Sequence, residues 1–151
     1  MPAVDKAISE LRSKGIDDAS IIDALSKLLD PETAWSIHAE LSLRFFNEGL
    51  QMVDKGDVVQ ASEKLYKAVE EAVKALAIRS NLSEAKEAME GGRWTVSPLD
   101  EASWKLGDDV ERAWVEAYFL HVNGFHEIRI GIDEVRKRIN VIKKLIDSLR
   151  Q

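Results

Sequence analysis

Residues 58–79 read VVQASEKLYKAVEEAVKALAIR, and this stretch decides the fold. Small or apolar side chains recur every three or four residues along it, which is the spacing of one face of an α-helix. Asp57, directly before the stretch, is a residue type that caps helix N-termini. Alanines at 61, 68 and 72 leave room for a neighbouring helix to approach closely. The stretch therefore predicts a long helix from Val58 to about Arg79 that packs against others.

Further helical patterns lie on both sides of this stretch. The sequence predicts two short helices before residue 31, a long helix from Pro31 to about Lys55, and another from Asp109 to about Val122. Residues 81–107 have a looser pattern and are predicted to form a packed connector with two short helical stretches. No segment has the alternation of a strand. The predicted fold class is an all-α, up-and-down helical bundle, with residues 1–30 as an N-terminal helical extension and residues 31–151 as the bundle, in one compact domain.

Apolar residues near the C-terminus follow a seven-residue repeat. They are Ile128, Ile132, Val135, Ile139, Ile142, Ile146 and Leu149. This spacing predicts one continuous helix whose apolar seam needs a partner helix, from the same bundle or from a second subunit. We expect a homodimer, because the seam and the aromatic residues exceed what a small bundle needs.

Composition and charge limit the class of protein. The chain has 151 residues, no cysteine, 45% hydrophobic residues and a formal net charge of -6. These values fit one globular domain, and the abundant Glu and Lys are typical of thermophile proteins. No apolar run approaches the roughly 18 residues that cross a bilayer, so we expect a cytoplasmic protein without a membrane partner. The acidic balance disfavours a protein that binds duplex DNA.

The C-terminal segment is basic within this acidic chain. Residues 127–151 carry seven basic and four acidic side chains. The run Arg136, Lys137 and Arg138 is therefore a candidate contact for a nucleic-acid backbone. The alternative is a solvated helix face, which explains most charge runs of this kind.

Two histidines flank an Asn-Gly dipeptide, which is expected to end or kink the preceding helix. His121 and His126 lie on either side of residues 123–124, and Arg112 or Arg129 is a candidate to join them. Metal-independent RNA cleavage needs a base for the 2′-hydroxyl and a cation for the phosphate, which histidine and arginine supply. The alternative is that both histidines brace the break by donating to backbone carbonyls. Catalysis and bracing both remain open at this point.

The sequence predicts neither a metal nor a cofactor. A zinc site from His121, His126 and either His38 or Glu127 would match no standard ligand spacing, and no cysteine is available. His38 is expected to be a satisfied, half-buried residue on the inner face of its helix. The Gly91-Gly92 pair is not a phosphate loop, since no strand precedes it and the Lys-Ser/Thr ending is missing.

Aromatic residues provide one more candidate surface. Trp94 and Trp104 lie in or beside the connector, where a base could stack or a dimer interface could form. Tyr66 and Lys67 are predicted to face the same space and are candidate binding residues. Core packing is the alternative for all of these rings.

Two segments resemble the archaeal PaREP family, which belongs to the HEPN superfamily of helical bundles. They are QASEKLYKAVEEAVKALA (60–77) and AWVEAYFLHVNGFHE (113–127), and the resemblance spans roughly Thr33 to Leu149. It implies a bundle of four or five core helices that commonly dimerises. HEPN members include metal-independent ribonucleases, toxins of toxin-antitoxin systems and inactive partners of nucleotidyltransferases. The active members have an Arg followed four to six residues later by His; the nearest pair here, Arg112 and His121, has eight residues between.

The residues and the resemblance together favour one function over two others. The first hypothesis is a non-catalytic or weakly active dimeric module that binds RNA, a nucleotide or a protein partner such as a nucleotidyltransferase, in a toxin-antitoxin or defence setting. The second is a metal-independent endoribonuclease that uses His121 or His126 with Arg112 or Arg129. The third is a structural oligomerisation protein.

Overall fold

The computed structural model describes residues 2–150, at residues 2, 4 and 5 the backbone alone. Within these residues every regular element is helical and no strand is present. The α-helices are α1 (Pro2–Ser13), α2 (Asp18–Leu25), α3 (Pro31–Asp54), α4 (Val58–Arg79), α5 (Ser83–Gly91), α6 (Val96–Leu106), α7 (Asp108–Leu120), α8 (Ile132–Arg136) and α9 (Ile139–Ser148). A 3-10 turn (Ser26–Leu28) follows α2, and a π-helical segment (His121–His126), here called the π turn, follows α7. The predicted all-α bundle is confirmed.

Helix α4 is the central element of the bundle. Of its 22 residues, 14 are buried, because α3, α7 and the C-terminal helices pack around it. The predicted inner face is confirmed, but burial extends well beyond that face to residues such as Val69, Val73 and Ala77. The periodic pattern showed only one face, because the further buried positions include two charged residues, Glu71 and Lys74, which are buried as an ion pair.

Aspartate caps begin three of the helices, and the predicted cap at Asp57 is confirmed. Asp57 accepts a hydrogen bond from the backbone N–H of Gln60 at 3.0 Å. The carboxylates of Asp30 and Asp17 do the same for α3 and α2, each at 2.8 Å. Each cap satisfies a backbone donor that the first turn of a helix leaves without a partner.

The predicted continuous helix over residues 128–149 is wrong. Ile128 has φ +50°, in the left-handed region that β-branched residues rarely adopt, so the helical path ends there. The chain resumes as α8 for five residues and, after a turn at Lys137 and Arg138, as α9. The later residues of the repeat are nevertheless buried within the same chain, against α4 and α7: Val135, Ile142, Ile146 and Leu149. The seam therefore finds its partner inside the bundle and does not by itself require a second subunit.

The connector over residues 81–107 contains the two expected short helices, α5 and α6. Its tryptophans differ in environment: Trp94 is buried, whereas Trp104 is 65% exposed on α6. Among residues 2–150, no helix combines the length and the apolar character that crossing a bilayer requires.

The π turn is fixed to α4 by a close approach of two small residues. A Cβ atom placed on Gly124 would lie 2.6 Å from the Cβ of Ser62 on α4 and closer still to its hydroxyl. Only glycine leaves space for this approach. The Asn-Gly dipeptide was expected to end or kink the helix; instead it lies inside a segment that continues α7 with wider turns.

Candidate functional site

The π turn and helix α4 bring Glu63 and the two histidines of the break together. Nδ1 of His121 lies 2.9 Å from Oε2 of Glu63, and Nε2 of His121 lies 3.1 Å from Nε2 of His126. The side chain of His121 is 20% exposed, and His126 is exposed. Both ring contacts of His121 are therefore to side chains and not to the backbone carbonyls of the break. The three groups, named here the histidine pair with its glutamate, form a chain from the inside of the bundle to its surface.

Hydrogen-bonding roles along this chain follow from the glutamate. An ionised carboxylate only accepts, so Nδ1 of His121 donates to Glu63. If the ring of His121 carries this proton alone, its lone pair is on Nε2 and accepts from the Nε2–H of His126. Nδ1 of His126 is left as the acceptor at the exposed end. The chain thus presents a basic ring nitrogen at the surface.

Aromatic rings surround His121. The ring of Tyr66 stacks on it with centroids 4.1 Å apart, while Tyr118 and Phe125 lie 5.9 Å from it. Tyr66 is buried, and burial together with the negative charge of Glu70 raises the pKa of its hydroxyl. Tyr118 is 36% exposed and lies at the edge of the cluster. The rings hold His121 in one orientation and leave an aromatic rim at the surface.

The two candidate arginines lie in different places. Arg129 is held on the π turn, because its Nε donates to Oδ1 of Asn123 at 2.7 Å and its backbone N–H donates to the Asn123 carbonyl at 2.9 Å. Arg112 is exposed on α7, nine residues before His121. Nine residues are about two and a half helical turns, which places the two side chains on opposite faces. Of the two arginines, Arg129 shares the nine-residue segment that carries both histidines.

Tyr66 and Lys67 point away from each other. Tyr66 turns toward α7 and packs against Trp114, with ring centroids 5.9 Å apart. Lys67 turns toward α2, where its Nζ lies 3.0 Å from Oδ2 of Asp17. They do not share a space beside the tryptophans of the connector.

The basic run Arg136, Lys137 and Arg138 is paired with acids. The pairs are Arg136 with Asp133 (3.1 Å), Lys137 with Glu134 (3.2 Å) and Arg138 with Glu116 (2.7 Å). The guanidinium of Arg138 also lies over the ring of Phe119, 3.9 Å from its centroid. The first two pairs are exposed, and such pairs are worth about 0–1 kcal/mol, so these cations exchange partners readily.

A second group of ionisable residues is buried between α2, α3 and α4. Lys74 is 1% exposed, and its Nζ lies 2.8 Å from Asp23, 2.6 Å from Glu71 and 3.4 Å from Glu70. His38 is fully buried rather than half-buried as expected, with Nδ1 3.1 Å from Oε1 of Glu71. We call His38, Glu71, Lys74 and Asp23 the buried charge cluster.

The charges in this cluster shift one another's pKa values. Burial alone would raise the pKa of Glu71, but the Lys74 charge and the His38 hydrogen bond outweigh it and hold that pKa below the ordinary range. Burial would likewise lower the pKa of Lys74, yet the charges of Glu71, Glu70 and Asp23 raise it. For Asp23, burial outweighs the attraction of Lys74 and raises the pKa. Lys74 is thus the cation on which the ionised cluster depends.

Asp23, His38 and Glu71 also have the composition of a metal site, with candidate ligand atoms within 4.8 Å of one another. The ammonium of Lys74 already contacts one oxygen of each carboxylate, so a metal ion bound there would lie beside a positive charge. Glu70 and Lys74 stand four residues apart on α4, which is the spacing of an ion pair on a helix surface. That pair exists, but nothing in its spacing shows that α2 covers it.

Comparisons with known proteins place the chain in a family. The model of the archaeal PaREP1/PaREP8 family matches residues 37–146. This range contains the buried charge cluster except Asp23, together with the histidine pair and its glutamate, and it leaves out α1 and α2. A search of curated proteins found no match.

Two solved structures of one structural-genomics target are similar to this chain. A crystal structure of this Sulfolobus solfataricus protein has 37% sequence identity and a TM-score of 0.67, over 73% of this chain and 93% of that one. A solution structure of the target has 35% identity and a TM-score of 0.63, over 72% of this chain and 88% of that one. With the family match over residues 37–146, these similarities lead to one conclusion: the chain belongs to the archaeal PaREP1/PaREP8 family.

Proposed function

We propose that the protein is a HEPN-like module that binds single-stranded RNA at the π turn, through His126, Arg129 and the exposed edge of Tyr118. The observation that carries this proposal is the fixed, partly exposed cluster of imidazole rings, which lies in the same nine-residue segment as an arginine. Single-stranded RNA is bound by stacking its bases on aromatic or imidazole rings and by contacts between cations and phosphates.

Each contact in this proposal has a structural support. Glu63 and Tyr66 hold His121, which in turn holds His126, so an approaching base meets an ordered ring. Asn123 binds Nε of Arg129, and the terminal nitrogens of its guanidinium extend beyond that bond. A planar guanidinium with two terminal nitrogens suits a phosphate group. The surface therefore combines ring stacking with one phosphate contact.

The HEPN resemblance extends the proposal to partners and setting. A homodimer, a nucleotidyltransferase-type protein partner and a toxin-antitoxin or defence setting all accord with that superfamily. The basic run Arg136, Lys137 and Arg138 serves in this proposal as an auxiliary phosphate contact, because its exposed pairs exchange an acid for a phosphate at little cost.

The test is gel retardation of labelled, mixed-sequence single-stranded RNA in EDTA at several salt concentrations. We expect retardation by the wild-type protein, weaker at higher salt, and reduced by Arg129→Ala and by His126→Ala. Arg112→Ala is the matched control, since it removes the same side chain from the opposite face of α7. Equal effects of Arg129→Ala and Arg112→Ala, or no retardation at all, would reject the proposal.

The histidine pair with its glutamate favours a second candidate function, metal-independent RNA cleavage. A carboxylate that orients one histidine, which then orients a second, is an arrangement used to position a general base. Nδ1 of His126 would take the proton of a 2′-hydroxyl, and that oxygen would attack the adjacent phosphorus while Arg129 stabilises the added negative charge. The proton then passes to the departing 5′-oxygen, which gives a 2′,3′-cyclic phosphate and a 5′-hydroxyl end.

The same incubation tests this second candidate. Cleavage in EDTA by the wild type, with cyclic-phosphate ends, and its loss in the His121→Ala/His126→Ala double variant would support it. Intact RNA after incubation with the wild-type protein would reject it. Retardation is scored on the same samples, so binding and cleavage are judged separately.

A further inference from the structure

The two histidines of the π turn face each other with the same ring nitrogen. Their Nε2 atoms are 3.1 Å apart, and the ring planes are inclined at 82°. Two histidine nitrogens that each lie about 2.0–2.1 Å from one tetrahedral zinc ion are separated by roughly 3.4 Å. The distance between the two Nε2 atoms is thus within a few tenths of an ångström of the separation expected when both bind one ion.

The π turn is the reason that residues five apart share a face. In an α-helix the neighbours on one face are three or four residues apart, so a His pair at i,i+5 diverges. A π-helix closes its hydrogen bonds from i to i+5 and aligns such residues, and these segments occur frequently at functional sites. The sequence prediction of no metal site compared the spacing of His121 and His126 with standard ligand patterns. These two residues lie in a π-helical segment, which changes which spacings share a face.

Glu63 provides the support that a metal-binding histidine needs. It accepts from Nδ1–H of His121 at 2.9 Å, which leaves the lone pair of that ring on Nε2, directed at His126. Histidines that bind metals donate their other ring N–H to a carboxylate or carbonyl in this manner, and the contact fixes both tautomer and orientation. His126 is exposed, so the remaining coordination positions open to solvent.

We propose that His121 and His126 bind a divalent transition-metal ion through their Nε2 atoms, with the ring proton of His126 moving from Nε2 to Nδ1, with Glu63 orienting His121, and with the open positions available to water or an anionic oxygen. Imidazole ligands suit Zn²⁺, Cu²⁺ and Ni²⁺, and affinity among these ions is highest for Cu²⁺. The buried charge cluster is less suited to this role, because a metal ion there would lie beside the ammonium of Lys74, which contacts both of its carboxylates. This inference goes beyond the proposed function and does not rest on it, because it is measured without RNA.

The test is isothermal titration calorimetry of EDTA-treated, dialysed protein with ZnCl₂ in a buffer free of phosphate. We expect one ion per chain, at least a tenfold loss of affinity in His126→Ala, and a 10- to 100-fold loss in Glu63→Gln, the range seen when the partner of a metal-binding histidine is removed. Asp109→Asn is the control for Glu63→Gln, since it also removes one negative charge, at an exposed site on α7. A visible absorption band of bound Co²⁺ that disappears in His126→Ala gives a second readout.

Two results would overturn the inference. One is Zn²⁺ binding that His126→Ala leaves unchanged, or no binding. The other is equal affinity in Glu63→Gln and Asp109→Asn, which would indicate adventitious binding to a surface histidine pair only. RNA retardation in EDTA is a separate measurement with a separate control. Each proposal can therefore fail without affecting the result for the other.

Discussion

Helix α4 provides the glutamates of two histidine–glutamate pairs that lie in contrasting environments. Glu71 holds Nδ1 of His38 at 3.1 Å in the interior, and Glu63 holds Nδ1 of His121 at 2.9 Å beside the surface. The first imidazole is completely buried, whereas the second is 20% exposed. The same pair of chemical groups therefore occurs in two different environments, and the two glutamates lie about two turns apart on α4.

The difference lies in what the second ring nitrogen meets. Nε2 of His38 faces Oδ1 of Asp23 at 3.9 Å, beyond hydrogen-bonding distance, and Lys74 neutralises the surrounding carboxylates. Nε2 of His121 meets a second imidazole at the surface. The second nitrogen of the surface pair therefore leads outward to an exposed ring, whereas the buried pair lies where α2, α3 and α4 meet.

Removing the cation of the buried charge cluster is expected to have the largest effect. Lys74→Met leaves Glu71 and Asp23 buried without their positive partner, which costs about 3–5 kcal/mol when a buried ion pair loses one member. The measurement is the free energy of unfolding from urea denaturation. Lys105→Met is the control, because that lysine forms an exposed pair with Glu84 at 2.6 Å; a loss in Lys74→Met no larger than in this control would contradict the structural role of the cluster.

A methyl group on Gly124 is expected to have the next largest effect. The added Cβ collides with Ser62 on α4, and overpacking of this kind costs roughly 1–3 kcal/mol. Gly124→Ala also displaces the π turn, so RNA retardation and Zn²⁺ binding should fall with stability. Gly91→Ala is the control, since a Cβ there meets nothing within 4 Å; similar unfolding free energies for the two variants would show that the turn is not packed as described.

The pH dependence of the unfolding free energy is expected to show a smaller effect, which comes from Glu71 of the buried pair. The pKa of Glu71 is held below its ordinary 4.5 by Lys74 and His38, although burial opposes them. Its contribution to stability is therefore complete above pH 4.5 and is lost as pH falls through the lower, folded-state value, at about 1.4 kcal/mol for each pKa unit. Asp23 and Glu70 have raised pKa values, chiefly because of burial, and the charge of Glu71 contributes to both, so their titration opposes part of this loss.

The measurement is the unfolding free energy of wild type and Glu71→Gln from about pH 6 to about pH 3. The difference in unfolding free energy between wild type and Glu71→Gln should become smaller as the pH falls, since the glutamine does not titrate. A constant gap over this range would mean that Glu71 is not ionised in the folded protein.

Exposed ion pairs are expected to contribute least to the unfolding free energy. Arg136→Ala removes an exposed pair with Asp133 and should change the unfolding free energy by less than about 0.5 kcal/mol. The proposed auxiliary role in RNA binding predicts, at the same time, a weaker salt dependence of retardation. A stability loss comparable to that of Lys74→Met would contradict the distinction between surface and buried charges.

Local patterns were sufficient to predict much of the fold and part of the site. The helical period predicted α3 and α4, Asp57 was correctly identified as the cap of α4, and the position of His38 on the inner face of α3 is confirmed. The break after Ile128 was missed because a regular repeat does not show where backbone turns interrupt it. The burial of Lys74 was missed because α2 covers it from a distant part of the sequence. The contact between His121 and His126 depends on a π-helical segment, which no periodic pattern of side chains encodes.

A pair of measurements on one variant, His126→Ala, tests whether the surface histidine pair binds RNA. His126 is exposed and lies outside the core, so we expect an unfolding free energy within about 0.5 kcal/mol of wild type together with reduced RNA retardation. Normal retardation combined with a large loss of stability would contradict this expectation, because the surface pair would then be structural like the buried one.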